Sequence, residues 1–325
     1  MQRGQDTENA DAPATYQDSY VGEDDAPFFR MLHGRRLNAL NTTYLLPADD
    51  EEVRRSELHH RALKFVFDGR NYVGPVRQAL QFGQKRRVLD LGTGGGIWAV
   101  EMADEFKRAD IIGVDLAPIQ PRDVPPNCEF KLSDLAQPEL PYPDGYFDLI
   151  HARSIFTGIP DYIRFVSEVA RLLRPGGLVI LVEPDLNPAV NEPLEDIAAE
   201  LDLSGWFALW ETYSACLRHQ GIDTSIPNRI PDIVASSGMF QDTVKRIAEV
   251  PVGFWPRDDV SLTVGQLQWM DFDLLLPALR PLFLHCGIPA TKVQSLIEDA
   301  QRDLYNPEAH LITRINIVYA SKNYR

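Results

Sequence analysis

The sequence predicts an α/β fold in which helices cover both faces of a largely parallel sheet. From residue 87 onward, short β-rich runs alternate with helical ones. The first run breaks into a turn holding Gly92, Gly94, Gly95 and Gly96 just before a helical stretch, and the next two runs end in Asp115 and Asp134. Strands that are apolar throughout are covered on both faces, and helices between strands bring successive strands into parallel.

Taken in order, residues 1–25 are rich in Asp, Glu, Gln and Ala, the composition of a disordered tail, and ordered chain is expected to begin near Pro27-Phe28-Phe29. Residues 26–82 read as an N-terminal helical cap. In PADDEEVRRSELHHRALKFVF, Asp50 and Arg54 stand four apart, as do Glu51 and Arg55, which supports a helix entered through Pro47 and Asp49. Leu58, Ala62, Phe65 and Val66 share its apolar face, with His59 beside that face and His60 off it. The main domain, residues 83–325, then runs through RVLDLG, ADIIGVDL, CEFKLSD, YFDLIHAR and GLVILVEPD as strands, with IWAVEMADEF and DYIRFVSEVARLL as helices. Pro175-Gly176-Gly177 is expected to end the last of these helices. A helical insertion is expected over about 186–235, where Trp206, Phe207, Trp210 and Tyr213 fall at helical spacing, as core packing or as the wall of an apolar pocket. TVKRIAEVPV and LITRINIVYAS return to strand, separated by a second helical insertion at about 254–309.

Composition narrows the function. A net charge of −15 and a pI near 4.9 argue against nucleic-acid binding, since phosphate contacts need clustered Lys and Arg. Cys128, Cys216 and Cys286 are far apart, lack metal or redox spacing, and read as buried or free thiols. The polar, acidic N-terminus has no secretory apolar region, and no stretch approaches the ~18 apolar residues of a membrane span. The expected setting is the cytoplasm, with the nucleus as the alternative, and no membrane partner. Without secretion, the sequon Asn41-Thr42-Thr43 carries no glycan.

The glycine-rich turn is not a dinucleotide fingerprint. A GxGxxG motif would place its third glycine at position 97, which is Ile97; the spacing here is D-x-G-x-G-x-G, from Asp90 through Gly92 and Gly94 to Gly96. Such a turn lets a ligand approach bare backbone. A carboxylate at the end of the second strand can accept hydrogen bonds from both hydroxyls of a ribose, and Asp115 stands there, 23 residues after Gly92. Asp134 closes the third strand, where an adenine amino group would lie.

VLDLGTGGGIWAVEMA, GVDLAPIQPRDVPPNCEFKLSDL and FDLIHAR resemble the class I S-adenosylmethionine-dependent methyltransferases. HGRRLNALNTTYLLPADDEEVRRSELHH, which lies outside the general fold, is similar to the fungal methyltransferases grouped around LaeA. The resemblance covers most of residues 28–325. It implies a Rossmann-like sheet of seven strands with a final antiparallel hairpin, and S-adenosyl-L-methionine as cofactor. The binding residues it implies are Asp90, Gly92, Gly94, Gly96, Asp115, Leu116, Asp134, Leu135 and Arg153, with Tyr44 and Arg35 from a cap that closes over the cofactor. The expected activity is methyl transfer to an oxygen or nitrogen of a small, largely apolar secondary metabolite. The alternative is a LaeA-like nuclear regulator acting through protein partners, and a third reading keeps the cofactor for structure alone.

A base is needed only where the nucleophile must lose a proton, and histidine is the usual one. His151 ends the fourth strand at the expected ligand edge and ranks first, ahead of His59 and His60 on the cap helix; His33 ranks lower. Glu183, after the fifth strand, is a candidate to orient substrate or cofactor. No carboxylate cluster suited to a metal is assignable.

Overall fold

The computed structural model describes residues 16–17, 25–81, 85–191 and 201–324; apart from residues 16–17 and Asp25, the expected N-terminal tail lies outside them. A two-residue strand β1 (Tyr16–Gln17) precedes a hairpin of β2 (Phe29–Leu32) and β3 (Arg35–Asn38). His33 and Gly34 make its turn with φ of 50° and 82°, as a two-residue hairpin turn of this hand requires. The expected helical cap thus opens with a 3-10 turn at Ala26–Phe28 and this hairpin, and His33 is a turn residue.

Helix α1 (Asp50–Val66) starts as expected, with the Asp49 side chain accepting the Glu52 N–H at 3.2 Å. The two i,i+4 ion pairs do not form. Its acidic first turn meets the hairpin instead: Asp50 pairs with Arg36 and Glu51 with Arg35, both at 3.3 Å. Arg55 turns to Glu52 at 2.6 Å and to Asp271 at 2.7 Å. Leu58, Ala62, Leu63 and His60 are buried whereas Phe65 is exposed, because the helix lies between two neighbours and needs two covered sides.

After α2 (Val76–Gln81) come β4 (Arg86–Leu91), α3 (Ile97–Glu105), β5 (Ala109–Asp115), β6 (Cys128–Ser133), β7 (Phe147–Arg153), α4 (Tyr162–Leu172), β8 (Leu173–Pro184) and β9 (Ala189–Val190). Then follow α5 (Ser204–His219), α6 (Ile226–Ser236), β10 (Phe240–Pro251), α7 (Asp259–Ala278), α8 (Arg280–His285), α9 (Ala290–Leu304) and β11 (Leu311–Lys322). The sheet runs β1-β6-β5-β4-β7-β8-β11-β10, with β9 also on β11. Strands β6, β5, β4, β7 and β8 are parallel, and β11 and β10 are antiparallel. The seven long strands are those the sequence predicts, although α7, α8 and α9 intervene between the last antiparallel pair.

Apolar residues alternate between two cores, one on each face of the sheet. On β4, Leu89 and Leu91 enter one and Val88 the other; on β8, Val179 and Leu181 enter one and Ile180 and Val182 the other. Pro175-Gly176-Gly177 does not end a helix. The chain is already extended at Leu173, and these residues lie in β8 where its register on β7 shifts between Phe147–Leu173 and Leu149–Leu178. The first insertion holds β9 as well as α5 and α6, and its residues 192–200 lie outside those described.

Candidate active site

The sheet order reverses around β4, which has β5 on one side and β7 on the other, and a ligand crevice forms at such a point beyond the C-terminal strand ends. A cavity lies there, lined by Asp90, Gly92, Gly94, Asp115, Leu116, Asp134, Leu135, Tyr44, His151, Arg153 and His59 among others. Of the predicted residues, Gly96, Arg35, His60, Glu183 and His33 do not line it.

The turn after β4 has two different uses for its glycines. A Cβ on Gly94, at φ 55°, would project into space with nothing nearer than the Ser56 Oγ at 4.0 Å, so this residue keeps backbone bare at the cavity. A Cβ on Gly96, at φ 82°, would stand 2.4 Å from the Phe130 ring. Gly96 is the N-cap of α3, and it packs the turn onto β6.

Asp115 accepts the Gly94 N–H at 2.8 Å through Oδ2 and the Leu116 N–H at 2.7 Å through Oδ1. Burial nevertheless pushes its carboxyl up to about 6, against those N–H donors. Asp134 accepts the Ala136 N–H at 2.9 Å and the Asn41 side-chain amide at 3.1 and 3.2 Å. Asn41 comes from the cap and has 9% exposure. The only sequence signal it gave was a sequon, which says nothing about this contact. Tyr44 follows, its ring 3.1 Å from where a Cβ on Gly158 would lie. Arg35 works at a distance: it donates to both Asp49 carboxylate oxygens at 2.7 and 2.8 Å and so ties the hairpin to the start of α1.

The cation and the acceptors suit S-adenosylmethionine. Asp115 could take the ribose hydroxyls and Asp134 an adenine amino group, the acceptor chemistry those groups need. Arg153, for which no carboxylate stands within ion-pair distance among the described residues, could take the carboxylate of the methionine part. Gly94 leaves the backbone open beside them, whereas a Cβ on Gly92 would stand 2.4 Å from the Ile155 side chain.

The three histidines are placed very differently. His151 donates its Nδ1–H to Asp90 at 2.7 Å, stacks on Trp98 with centroids 3.9 Å apart, and burial lowers its pKa. His60 is 1% exposed, accepts from Arg153 on Nδ1 at 3.3 Å, and faces Glu101 with Nε2 at 3.3 Å. Burial and the Arg153 charge push it down to about 4, so it is neutral with both ring nitrogens engaged. His59 bonds through Nδ1 to Asp271 at 2.9 Å and through Nε2 to the Ser154 Oγ at 3.2 Å. Burial opposes ionisation of Asp271, but Arg55 and His59 hold its carboxyl below the usual range. The bond to Asp271 fixes the proton on Nδ1, leaving Nε2 as the acceptor.

Of these rings only His59 adjoins a second cavity, walled by Trp206, Trp210, Tyr213, Phe156 and Phe272 among others. The two cavities share Leu46, Arg55, His59 and Ser154. The aromatic stripe therefore serves as both core and cavity wall. Ser154, at φ 56°, stands in a left-handed conformation costly for a residue with a Cβ. The next residue, Ile155, donates its N–H to both Glu183 oxygens at 3.2 and 3.1 Å. Glu183 lines neither cavity; it holds this turn, and burial pushes its carboxyl up to about 8 against donors from Ile155, Phe156 and Tyr162. Ser154 and Asp271 gave no sequence signal, and Arg55 signalled only a helical ion pair, since each acquires its place at the site from a residue 95 or more positions away. No group of His, Cys, Asp or Glu suited to a metal occurs among the described residues.

A methyltransferase-domain family model matches residues 58–222, just over half of the chain. The secondary metabolism regulator laeA of Coprinopsis cinerea is 31% identical, over 88% of this chain and 72% of its own length. The protein-methionine methyltransferase laeA of Emericella nidulans is 28% identical, over 91% of this chain and 76% of its own. A phosphoethanolamine N-methyltransferase of Haemonchus contortus, solved with S-adenosylhomocysteine, aligns at TM-score 0.46 and 17% identity, over 83% of this chain and 57% of that one. The chain accordingly belongs to the S-adenosylmethionine-dependent methyltransferases and, within them, to the LaeA-like family.

Proposed function

We propose that this enzyme methylates an oxygen or nitrogen of a small, largely apolar secondary metabolite that occupies the aromatic cavity. The observation that supports this reading is that the aromatic cavity and the cavity that fits the cofactor share Leu46, Arg55, His59 and Ser154 in their walls. The cofactor supplies an electrophilic methyl group on a sulfonium, whose departure leaves a neutral thioether. Asp115, Asp134 and Arg153 would hold its polar ends while Gly94 leaves backbone bare against it. Placing the acceptor in line with the methyl group supplies much of the rate. Where the acceptor is a hydroxyl, His59 Nε2 accepts its proton as the new bond forms, and Asp271 stabilises the resulting imidazolium. Ser154 holds the ring in place until an acceptor arrives. The strongly acidic chain acts on this molecule without nucleic acid or membrane.

The names of the relatives favour a second reading, in which the protein regulates secondary metabolism through protein partners. One incubation separates the two. With methyl-labelled cofactor, a metabolite extract and a protein extract, a labelled small molecule supports the first reading. Label on protein, or no label at all, counts against it.

A further inference from the structure

The buried Asn41 does not line the cofactor cavity, yet it bonds to three residues that do: Asn38, Tyr44 and Asp134. Its backbone N–H donates to the Asn38 Oδ1 at 2.7 Å. Its side-chain oxygen accepts the Thr43 N–H at 2.9 Å, the Thr43 hydroxyl at 2.7 Å and the Tyr44 N–H at 3.1 Å, as an Asn does when it closes a short turn. Its Nδ2 crosses to the end of β6 and straddles the Asp134 carboxylate, 3.2 Å from Oδ1 and 3.1 Å from Oδ2.

The two ends of this amide have separate tasks. Only its oxygen can accept from the turn, and only its nitrogen can donate to a carboxylate, so the turn fixes which way the donor points. On its other side Asp134 Oδ1 accepts the Ala136 N–H at 2.9 Å, and the carboxylate is held between β6's own chain and the cap. An ionised carboxylate only accepts, so in a fixed orientation it pairs with the amino group of adenine and not with the carbonyl of a 6-oxo purine. A carboxylate free to turn could swing away and admit the mismatched base. Resting on the reading that Asp134 takes the adenine amino group, we infer that Asn41 is a positioning residue for the nucleobase. By clamping Asp134 it makes the site select a 6-amino over a 6-oxo purine.

The probes are S-adenosylhomocysteine and S-inosylhomocysteine, which carry an amino group and a carbonyl at the purine 6-position. Binding of each to the full chain is measured by calorimetry. A site built to hydrogen-bond a group rejects the analogue lacking it, so the wild type should prefer the adenine ligand at least roughly tenfold. Asn41→Asp keeps a side-chain oxygen for the Thr43 and Tyr44 N–H groups but cannot donate to Asp134, and should cut the preference to about threefold or less. Asn41→Ala should cut it as well. Thr43→Val, which removes only the hydroxyl bond to Asn41, should keep the wild-type ratio. Because the ratio is taken within each protein, a loosened cap that weakens both ligands alike leaves it unchanged. A preference lost in Asp134→Ala but kept in Asn41→Asp and Asn41→Ala would overturn the positioning role and leave the adenine reading standing. Equal affinities in the wild type, or a preference that survives Asp134→Ala, would overturn the adenine reading and this inference with it.

Discussion

Gly94 and Gly96 stand two residues apart and yet should fail in different ways when replaced. Gly94→Ala puts a methyl group into the cofactor cavity and meets only backbone strain of about 1 kcal/mol, so S-adenosylmethionine affinity should fall tenfold or more with a small loss of stability. Gly96→Ala drives a Cβ into Phe130, so it should cost roughly 2–3 kcal/mol of stability and leave the cavity lining alone. Calorimetry and denaturant unfolding of both variants check this pair. Asp115 adds a pH dependence. Its carboxyl, raised to about 6 by burial, must be ionised to accept from both ribose hydroxyls. Cofactor affinity should therefore be full above that value and decline as pH falls through it, and Asp115→Asn should weaken binding and flatten the profile. For the proton transfer, His59→Ala should lower kcat by about 10² to 10⁴ for a hydroxyl acceptor, with little change in cofactor affinity. His60→Ala should change kcat far less, because its ring nitrogens are engaged by Arg153 and Glu101. Single-turnover rates of both variants across pH decide. Position along the strands favoured His151, but His151 adjoins the cofactor cavity alone and His59 adjoins both.

At the scale of elements, ion pairs join the N-terminal hairpin and α1 into one unit. Arg35 and Arg36 fasten the hairpin to the acidic start of α1, while Arg55 fastens α1 to α7 through Asp271. The hairpin's end and the segment after it supply Asn38, Asn41 and Tyr44 around the cofactor cavity. Removing residues 1–20 should leave activity intact. Removing residues 1–46 should abolish it and weaken S-adenosylhomocysteine binding, a difference that activity and calorimetry on the two truncations will reveal. The helix was legible from its periodicity and its Asp49 cap, but its ion pairs were not. Charges four apart on a helix pair with each other only when no better partner lies across the interface, and here the hairpin and α7 offer better ones.

Over the whole molecule, the buried Glu183 ties stability to pH. It ionises near 4.5 when the chain is unfolded and near 8 when folded. Between those values the folded chain holds the proton more strongly, so this contribution is complete below 4.5 and is lost as pH rises through about 8. The melting temperature should therefore fall toward alkaline pH through this range, and Glu183→Gln should remove that component. Because Glu183 carries the Ile155 turn beside Ser154, activity should decline over the same alkaline range.

The sequence by itself determined the strand and helix order, the glycine-rich turn and the carboxylates Asp115 and Asp134 at two strand ends. These follow from hydrophobic period, turn chemistry and spacings of a few tens of residues, all of which are local. The tertiary structure alone decided that His59 meets Asp271, 212 residues away, that Arg55 meets the same carboxylate from 216 residues away, and that Asn41 covers Asp134. It also decided that the Trp206 and Trp210 stripe walls a cavity that shares His59 with the first. A side chain's partner across an interface depends on how whole elements pack, and no local pattern encodes that.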